Sequence, residues 1–283
     1  MKLLGWIGLL LLAGVMAVEA SAGLGQRLPW ERIIQREVAS KWSLSTARPY
    51  AIPKKRPAKI KYDQVPGKGK VLAFTFDDGP RPWTAGVLDA LKKRGIRGTF
   101  FVTGTEAVAY RKLVKRMIAE GHEVGNHTLT HKDMWMHRSS QEKVDREIRR
   151  AHEALTKITG VAPKIFRPPG GNFRDDQCQW TYDEFGYANI WWNVDPRDGV
   201  TPRPSAKQFR DRILKQVKDG SIILSHDLHR SSAAAVPATL DALIAKGYKF
   251  LTVSELIALD DPYKDLQWSY QELRFLEELS PKR

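Results

Sequence analysis

The chain has 283 residues, 42% of them hydrophobic and 28% charged, with nine Trp. That is enough to bury one sizeable core and excludes global disorder. The net charge is +14, concentrated between Gly23 and Lys70, where twelve Lys/Arg face three Asp/Glu; the single cysteine, Cys178, excludes an intrachain disulfide.

Residues 1–22 read as an export signal. Lys2 precedes an apolar stretch from Leu3 to Val18, and the small-residue site Ala20-Ser21-Ala22 follows. Cleavage after Ala22 predicts a periplasmic or extracellular protein; an uncleaved membrane tether is the alternative. Residues 23–70 form a basic extension and linker. Within it Trp30, Ile34, Val38 and Trp42 recur every four residues, as on an amphipathic helix. Such an extension suits an anionic wall polymer or a membrane surface, or is a plain solvated arm. Export argues against nucleic acid. Arg48 to Lys70 is rich in Pro and Lys and reads as an extended connector.

From Val71 the pattern alternates between strand and helix. Strands are predicted near Val71–Phe76, Gly98–Val102, His122–Gly125, Pro163–Phe166, Tyr187–Val194, Gly220–Leu224 and Tyr248–Val253. Helical periodicity covers Thr84–Lys93, Arg111–Ala119, Ser140–Ile158, Ala206–Val217 and Pro237–Ala245, with glycines just past several helix ends. The expected class is α/β: a distorted (β/α) barrel of about seven units behind an N-terminal extension, with an open doubly wound sheet as the alternative. Residues 71–256 make up this domain and residues 257–283 an acidic, aromatic tail.

Polar residues collect after the strand ends, where barrel enzymes hold their sites. Asp77-Asp78 close the first strand, and Gly79-Pro80 would break it so that both carboxylates face one site. His127 and His131 follow the third strand, Arg167-Pro168-Pro169-Gly170-Gly171 the fourth, Asp195 to Asp198 the fifth and His226-Asp227 the sixth. Two imidazoles and a carboxylate can hold a zinc-like ion with an open position for water. Arg167 can orient a carboxylate. Gly170 and Gly171 expose backbone N–H groups, and His226 beside a carboxylate such as Asp198 is a candidate general acid. Ordinary loop polarity or a structural ion pair would explain each feature alone; together they point to metal-assisted hydrolysis of an amide or ester. His122 is expected to be structural, His152 a surface residue and Cys178 a half-buried structural thiol.

Thr75-Phe76-Asp77-Asp78-Gly79-Pro80, His127-Thr128-Leu129-Thr130-His131, Arg167-Pro168-Pro169-Gly170, Asp195 to Asp198 and Leu224-Ser225-His226 resemble, in order, the five motifs of the polysaccharide deacetylases of carbohydrate esterase family 4, the NodB-homology domain. The resemblance covers roughly Val71 to Leu256. It implies metal-dependent removal of N-acetyl groups from sugar polymers. It further implies Asp78, His127 and His131 as metal ligands, Asp77 as general base, Arg167 as its partner, and His226 as general acid tuned by Asp198. Gly170 would supply the oxyanion N–H, and Leu224 the apolar wall of the acetyl pocket. The ion is zinc by default, with cobalt or nickel fitting the same ligands.

One departure stands out. Gly199 follows Asp198 where the family usually has Trp, so Trp191, Trp192 or another aromatic fills that space or the pocket is wider. The expected substrate is an acetylated glycan, peptidoglycan first and chitin or an exopolysaccharide as alternatives. A wall-binding protein whose catalysis has faded is the reading from another class.

Overall fold

The computed structural model describes residues 59–66 and 69–259. The export signal, the Trp30–Trp42 stripe, most of the basic extension and the C-terminal tail beyond Leu259 lie outside the described residues. The elements, in order, are β1 (Lys61–Tyr62), β2 (Val71–Asp77), α1 (Thr84–Lys93), β3 (Thr99–Val102), α2 (Gly104–Ala109), α3 (Arg111–Ala119), β4 (Glu123–Asn126) and α4 (Gln141–Thr159). There follow β5 (Ile165–Phe166), α5 (Asp175–Phe185), β6 (Ala188–Ile190), α6 (Ala206–Gln216), β7 (Ser221–Ile223), α7 (Arg230–Ala245), β8 (Lys249–Leu251) and α8 (Val253–Ile257).

Among the described residues these strands form one eight-stranded sheet in the order β1-β6-β5-β4-β3-β2-β7, every named pair parallel. β2 carries β7 along one edge. Its other edge is divided: Val71–Ala73 pair with β8 and Thr75–Asp77 with β3. The sheet curls, and its two ends are stitched by bridges from Val194 to Ile223 and from Gln64 to Ser221, with the Val65 amide donating to the Gly220 carbonyl at 2.9 Å. This is the distorted (β/α) barrel that strand–helix alternation predicts.

Every residue of β2 is buried, as a central parallel strand requires. Its two faces part company with period two. Leu72, Phe74 and Phe76 pack outward with Leu88 and Leu91 of α1 and Leu240 and Leu243 of α7. Ala73 packs inside the curl with Phe101, Ile165, Ile190 and Ile222. The inward face therefore runs Ala73, Thr75, Asp77, and it delivers one carboxylate to the interior of the barrel mouth. α4 buries Val144, Ile148, Ala151 and Leu155 at helical spacing. It starts at a Ser140 side chain that accepts the Lys143 amide and stops at left-handed Gly160.

Three expectations change. The domain begins before Val71: Lys61–Tyr62 add an edge strand to β6, and Tyr62 and Val65 are buried in the inner core, so part of the expected connector is sheet. The Tyr187–Val194 run is a strand only to Ile190. Trp191 and Trp192 then turn onto the Gly171 loop before Val194 rejoins β7. α7 starts at Arg230, seven residues before Pro237, which the helix carries internally. A Pro removes one helical hydrogen bond, and burial of Ala235, Val236, Leu240 and Leu243 compensates.

Candidate active site

Asp77 is the last residue of β2 and nearly fully buried. Arg167, one residue past β5 and itself fully buried, donates from Nη1 to Asp77 Oδ1 (2.7 Å) and to Thr75 Oγ1 (2.6 Å). Nε and Nη2 donate to the carbonyls of Ile190 and Trp191, and the guanidinium lies 4.0 Å from the centroid of Phe101. Burial lowers the Arg167 pKa while the Asp77 charge opposes this. A buried guanidinium is tolerable only with such partners.

The chain reverses at Asp78 itself, whose φ is +70°. The sequence had assigned that break to Gly79-Pro80. Asp is among the residues that tolerate the left-handed region, and adopting it here lets neighbouring carboxylates serve one site. Thr128 (φ +67°) and His131 (φ +57°) share the left-handed conformation. For a β-branched Thr this is a strained state, the kind that surrounding structure holds in place at functional sites. The holding bonds are visible: Asn126 Oδ1 accepts the Thr128 amide (2.8 Å), and Glu147 of α4 accepts both the amide (2.9 Å) and the hydroxyl (3.0 Å) of Thr130.

That loop brings His127 Nε2 to 3.1 Å and His131 Nε2 to 3.0 Å from Asp78 Oδ1. One ligand atom from each of the three residues falls within 4.8 Å of the others. His127 Nδ1 donates to the Arg167 carbonyl at 2.6 Å, which turns the Nε2 lone pair toward the cluster. Asp78 Oδ1 is buried and has no hydrogen bond of acceptable geometry among the described residues. Converging lone pairs around an orphaned carboxylate oxygen fit a divalent cation. Burial pushes the Asp78 carboxyl up, but His127 and the imidazoles of His131 and His226 outweigh it and hold the group well below the usual carboxylate range.

On the opposite side Asp198, almost wholly buried, grips His226 twice. Oδ1 accepts from Nδ1 and Oδ2 accepts the His226 amide, both at 2.9 Å. Burial disfavours the imidazolium, but the Asp198 bond and charge, with Asp78 and Asp77 behind them, raise its pKa to about 9. The Nε2 edge faces Asp78 Oδ2 at 3.9 Å. The predicted catalytic and ligand residues thus gather at one mouth of the barrel.

The predicted lining residues are more dispersed. Gly170 sits in a short turn at φ +61°. Leu224 is buried just past β7. Trp192 lies 5.6 Å from the Arg167 guanidinium and against Gly171, and the Trp191 indole N–H donates to the Gly171 carbonyl at 2.9 Å. The Trp192 ring thus lies on the Arg167 side, and the Trp191 indole lies on the Gly171 loop. A Cβ on Gly199 would lie 2.8 Å from His226 Cε1, so its backbone rests directly on the imidazole.

Thr84, Asn126 and Glu147 were not singled out by sequence, and Asp227 was placed after the sixth strand without a role. His122 is structural as expected: it is buried and accepts the Gly98 amide (3.1 Å), and burial lowers its pKa to about 4. His152 is only partly exposed and meets the Tyr187 hydroxyl at 2.7 Å, because α4 turns it onto the Phe185–Tyr187 cluster. Cys178 is fully buried rather than half-buried, and burial pushes its thiol up to about 12, so it is inert.

A barrel with a carboxylate–imidazole cluster, a buried base candidate and a charged acid candidate at its mouth has the parts of a hydrolase. Comparison with known proteins agrees. The polysaccharide deacetylase family matches residues 64–190. A peptidoglycan-N-acetylglucosamine deacetylase of Bacillus cereus is 38% identical over 200 residues, 69% of this chain and 91% of that protein. A chitin deacetylase of Colletotrichum lindemuthianum is 36% identical, over 66% of this chain and 79% of that protein. The peptidoglycan-N-acetylmuramic acid deacetylase PdaC of Bacillus subtilis is 37% identical over 69% of this chain but only 40% of its own length. Its solved structure superposes with a TM-score of 0.62 and 36% identity, covering 73% of this chain and 96% of that one. The chain belongs to the polysaccharide deacetylase family and is a hydrolytic deacetylase.

Proposed function

We propose that the protein is an exported, metal-dependent N-deacetylase that removes acetyl groups from N-acetylglucosamine units of peptidoglycan. The observation that carries the reading is the convergence of Asp78, His127 and His131 between the Arg167–Asp77 pair and the Asp198–His226 pair. The peptidoglycan activities of the relatives, the apolar leader and the basic extension support the substrate and the location.

Asp78 Oδ1 and the Nε2 atoms of His127 and His131 would hold the ion, zinc by ligand type. Such an ion supplies a water of near-neutral pKa and polarises the amide carbonyl. The protein's own groups do the rest. Arg167 occupies Asp77 Oδ1, so Oδ2 is left facing the cluster, 3.8 Å from His127 Nε2, to accept the proton of the attacking water. The Gly170 N–H would receive the developing oxyanion; the Gly171 N–H, expected to be exposed as well, instead donates to the Pro168 carbonyl at 3.0 Å. His226, protonated at neutral pH, delivers a proton from Nε2 to the departing amine, while Asp198 keeps Nδ1 bonded and the ring oriented. Leu224 gives the acetyl methyl an apolar wall.

The test is acetate release from purified peptidoglycan, chitooligosaccharides and an acetylated exopolysaccharide, each with and without chelator. The reading expects peptidoglycan to be preferred and release to stop with chelator. Chelator-resistant release refutes the mechanism, preference for another polymer refutes the substrate, and wall binding without release from any polymer favours a faded enzyme.

A further inference from the structure

Asp227 follows His226 directly and is completely buried, yet no step above uses it. Its Oδ2 accepts the Thr84 hydroxyl at the start of α1, and Thr84 Oγ1 in turn accepts the Arg81 amide at 2.8 Å. Oδ1 has no hydrogen-bond partner among the described residues. It lies instead against Gly79, where a Cβ would overlap Oδ1 and fall 2.9 Å from Oδ2. Gly79 is the residue after Asp78. Contact with this carboxyl group is what forbids a side chain there. The group is therefore wedged between the head of α1 and the turn that carries a ligand, and its own backbone continues from the acid. Leaving a buried carboxyl oxygen unbonded is costly. Burial raises its pKa to about 7, with the Asp78 charge acting in the same sense.

We propose that Asp227 is a positioning residue: through Thr84 and Gly79 it fixes the Asp78–Thr84 turn against the His226 loop, and so sets where the ligand oxygen of Asp78 stands relative to the two imidazoles and the acid. The proposal rests on Asp78, His127 and His131 being the metal ligands. A purely structural Asp227 would lower stability and leave the metal affinity of the folded protein alone. A positioning Asp227 moves that affinity, since residues that orient metal ligands are each worth about 10- to 100-fold.

The experiment is Zn2+ titration of the metal-free full-length protein against a competing chromophoric chelator, with a melting curve of each metal-free variant alongside. Asp227→Ala should bind zinc at least about tenfold more weakly than wild type while still melting cooperatively. Asp227→Asn, which keeps an oxygen for the Thr84 hydroxyl, should bind near wild type. Gly79→Ala should also weaken binding, and less so in an Asp227→Ala background, because the clash partner is then gone. Thr84→Val removes the hydroxyl at nearly constant shape and serves in place of Asp227→Ala if that variant does not fold. Wild-type zinc affinity in the folded Asp227→Ala or Thr84→Val protein overturns the proposal, as does strict additivity of Gly79→Ala and Asp227→Ala. Absence of zinc binding by the wild type overturns the ligand assignment itself and is seen before any variant is compared.

Discussion

Replacing Asp198 by Asn separates the acid from the rest of the machinery. His226 ionises near 9 in the folded protein, against an ordinary value near 6.5, and the Asp198 bond and charge lead the groups that oppose burial. At about 1.4 kcal/mol per pH unit, this gap is worth roughly 3 kcal/mol in favour of the imidazolium. A neutral amide can still accept from Nδ1 but brings no charge, so burial dominates and the imidazole should ionise at or below about 6.5. At pH 7.5 the acid form then falls from nearly complete to about a tenth or less. The assay is the pH profile of kcat/KM for acetate release, wild type against Asp198→Asn. The alkaline limb of the variant should move toward neutrality, with at least a tenfold loss at pH 7.5 and partial recovery at pH 6. The sign also fixes a stability test on the metal-free protein. Because the folded pKa is raised, the His226 contribution is fully present below about 6.5 and is lost as pH rises through about 9. The wild type should lead Asp198→Asn in melting temperature at pH 6 and lose that lead by pH 9.5. An unchanged alkaline limb in Asp198→Asn would refute the assignment of His226 as the acid held charged by Asp198.

Other perturbations probe the remaining parts. Asp78→Ala should abolish tight zinc binding, whereas Asp77→Asn should bind zinc and lose at least a hundredfold in kcat, on the scale of a removed general base; equilibrium dialysis and acetate release distinguish them. Arg167→Met should destabilise the fold by about 3–5 kcal/mol, because it strands the buried Asp77 carboxylate without its partner; urea unfolding at pH 7 measures this. Gly199→Ala should lower kcat more than it raises KM, since a methyl group arrives 2.8 Å from His226 Cε1 and must tilt the ring away from its Asp198 bond. An unaltered kcat would show that the ring has room to move.

What the sequence made legible follows from the range of the forces involved. α1 and α3 fall where they were predicted because their apolar periodicity and terminal signals are local. Asp77, Asp78, His127, His131, Arg167 and His226 were legible because a parallel sheet sends all its strand ends to one mouth, so polar residues just past apolar runs must meet. β1 was not, since two residues in a Pro- and Lys-rich stretch become a strand only by pairing with Asn189 and Ile190. The left-handed turn at Asp78 was misplaced by one residue for a related reason: Gly-Pro is the stronger local break, and the Phe101 carbonyl that accepts the Asp78 amide at 3.1 Å is supplied by a neighbouring strand. Asp227 is the extreme case. Its partner Thr84 lies 143 positions away and the glycine it touches farther still, and no periodicity joins them. Sequence patterns therefore locate the polar groups that meet at the barrel mouth, because these cluster at strand ends. They miss what Asp227 touches, because its contacts join chain segments that only the closed barrel brings together.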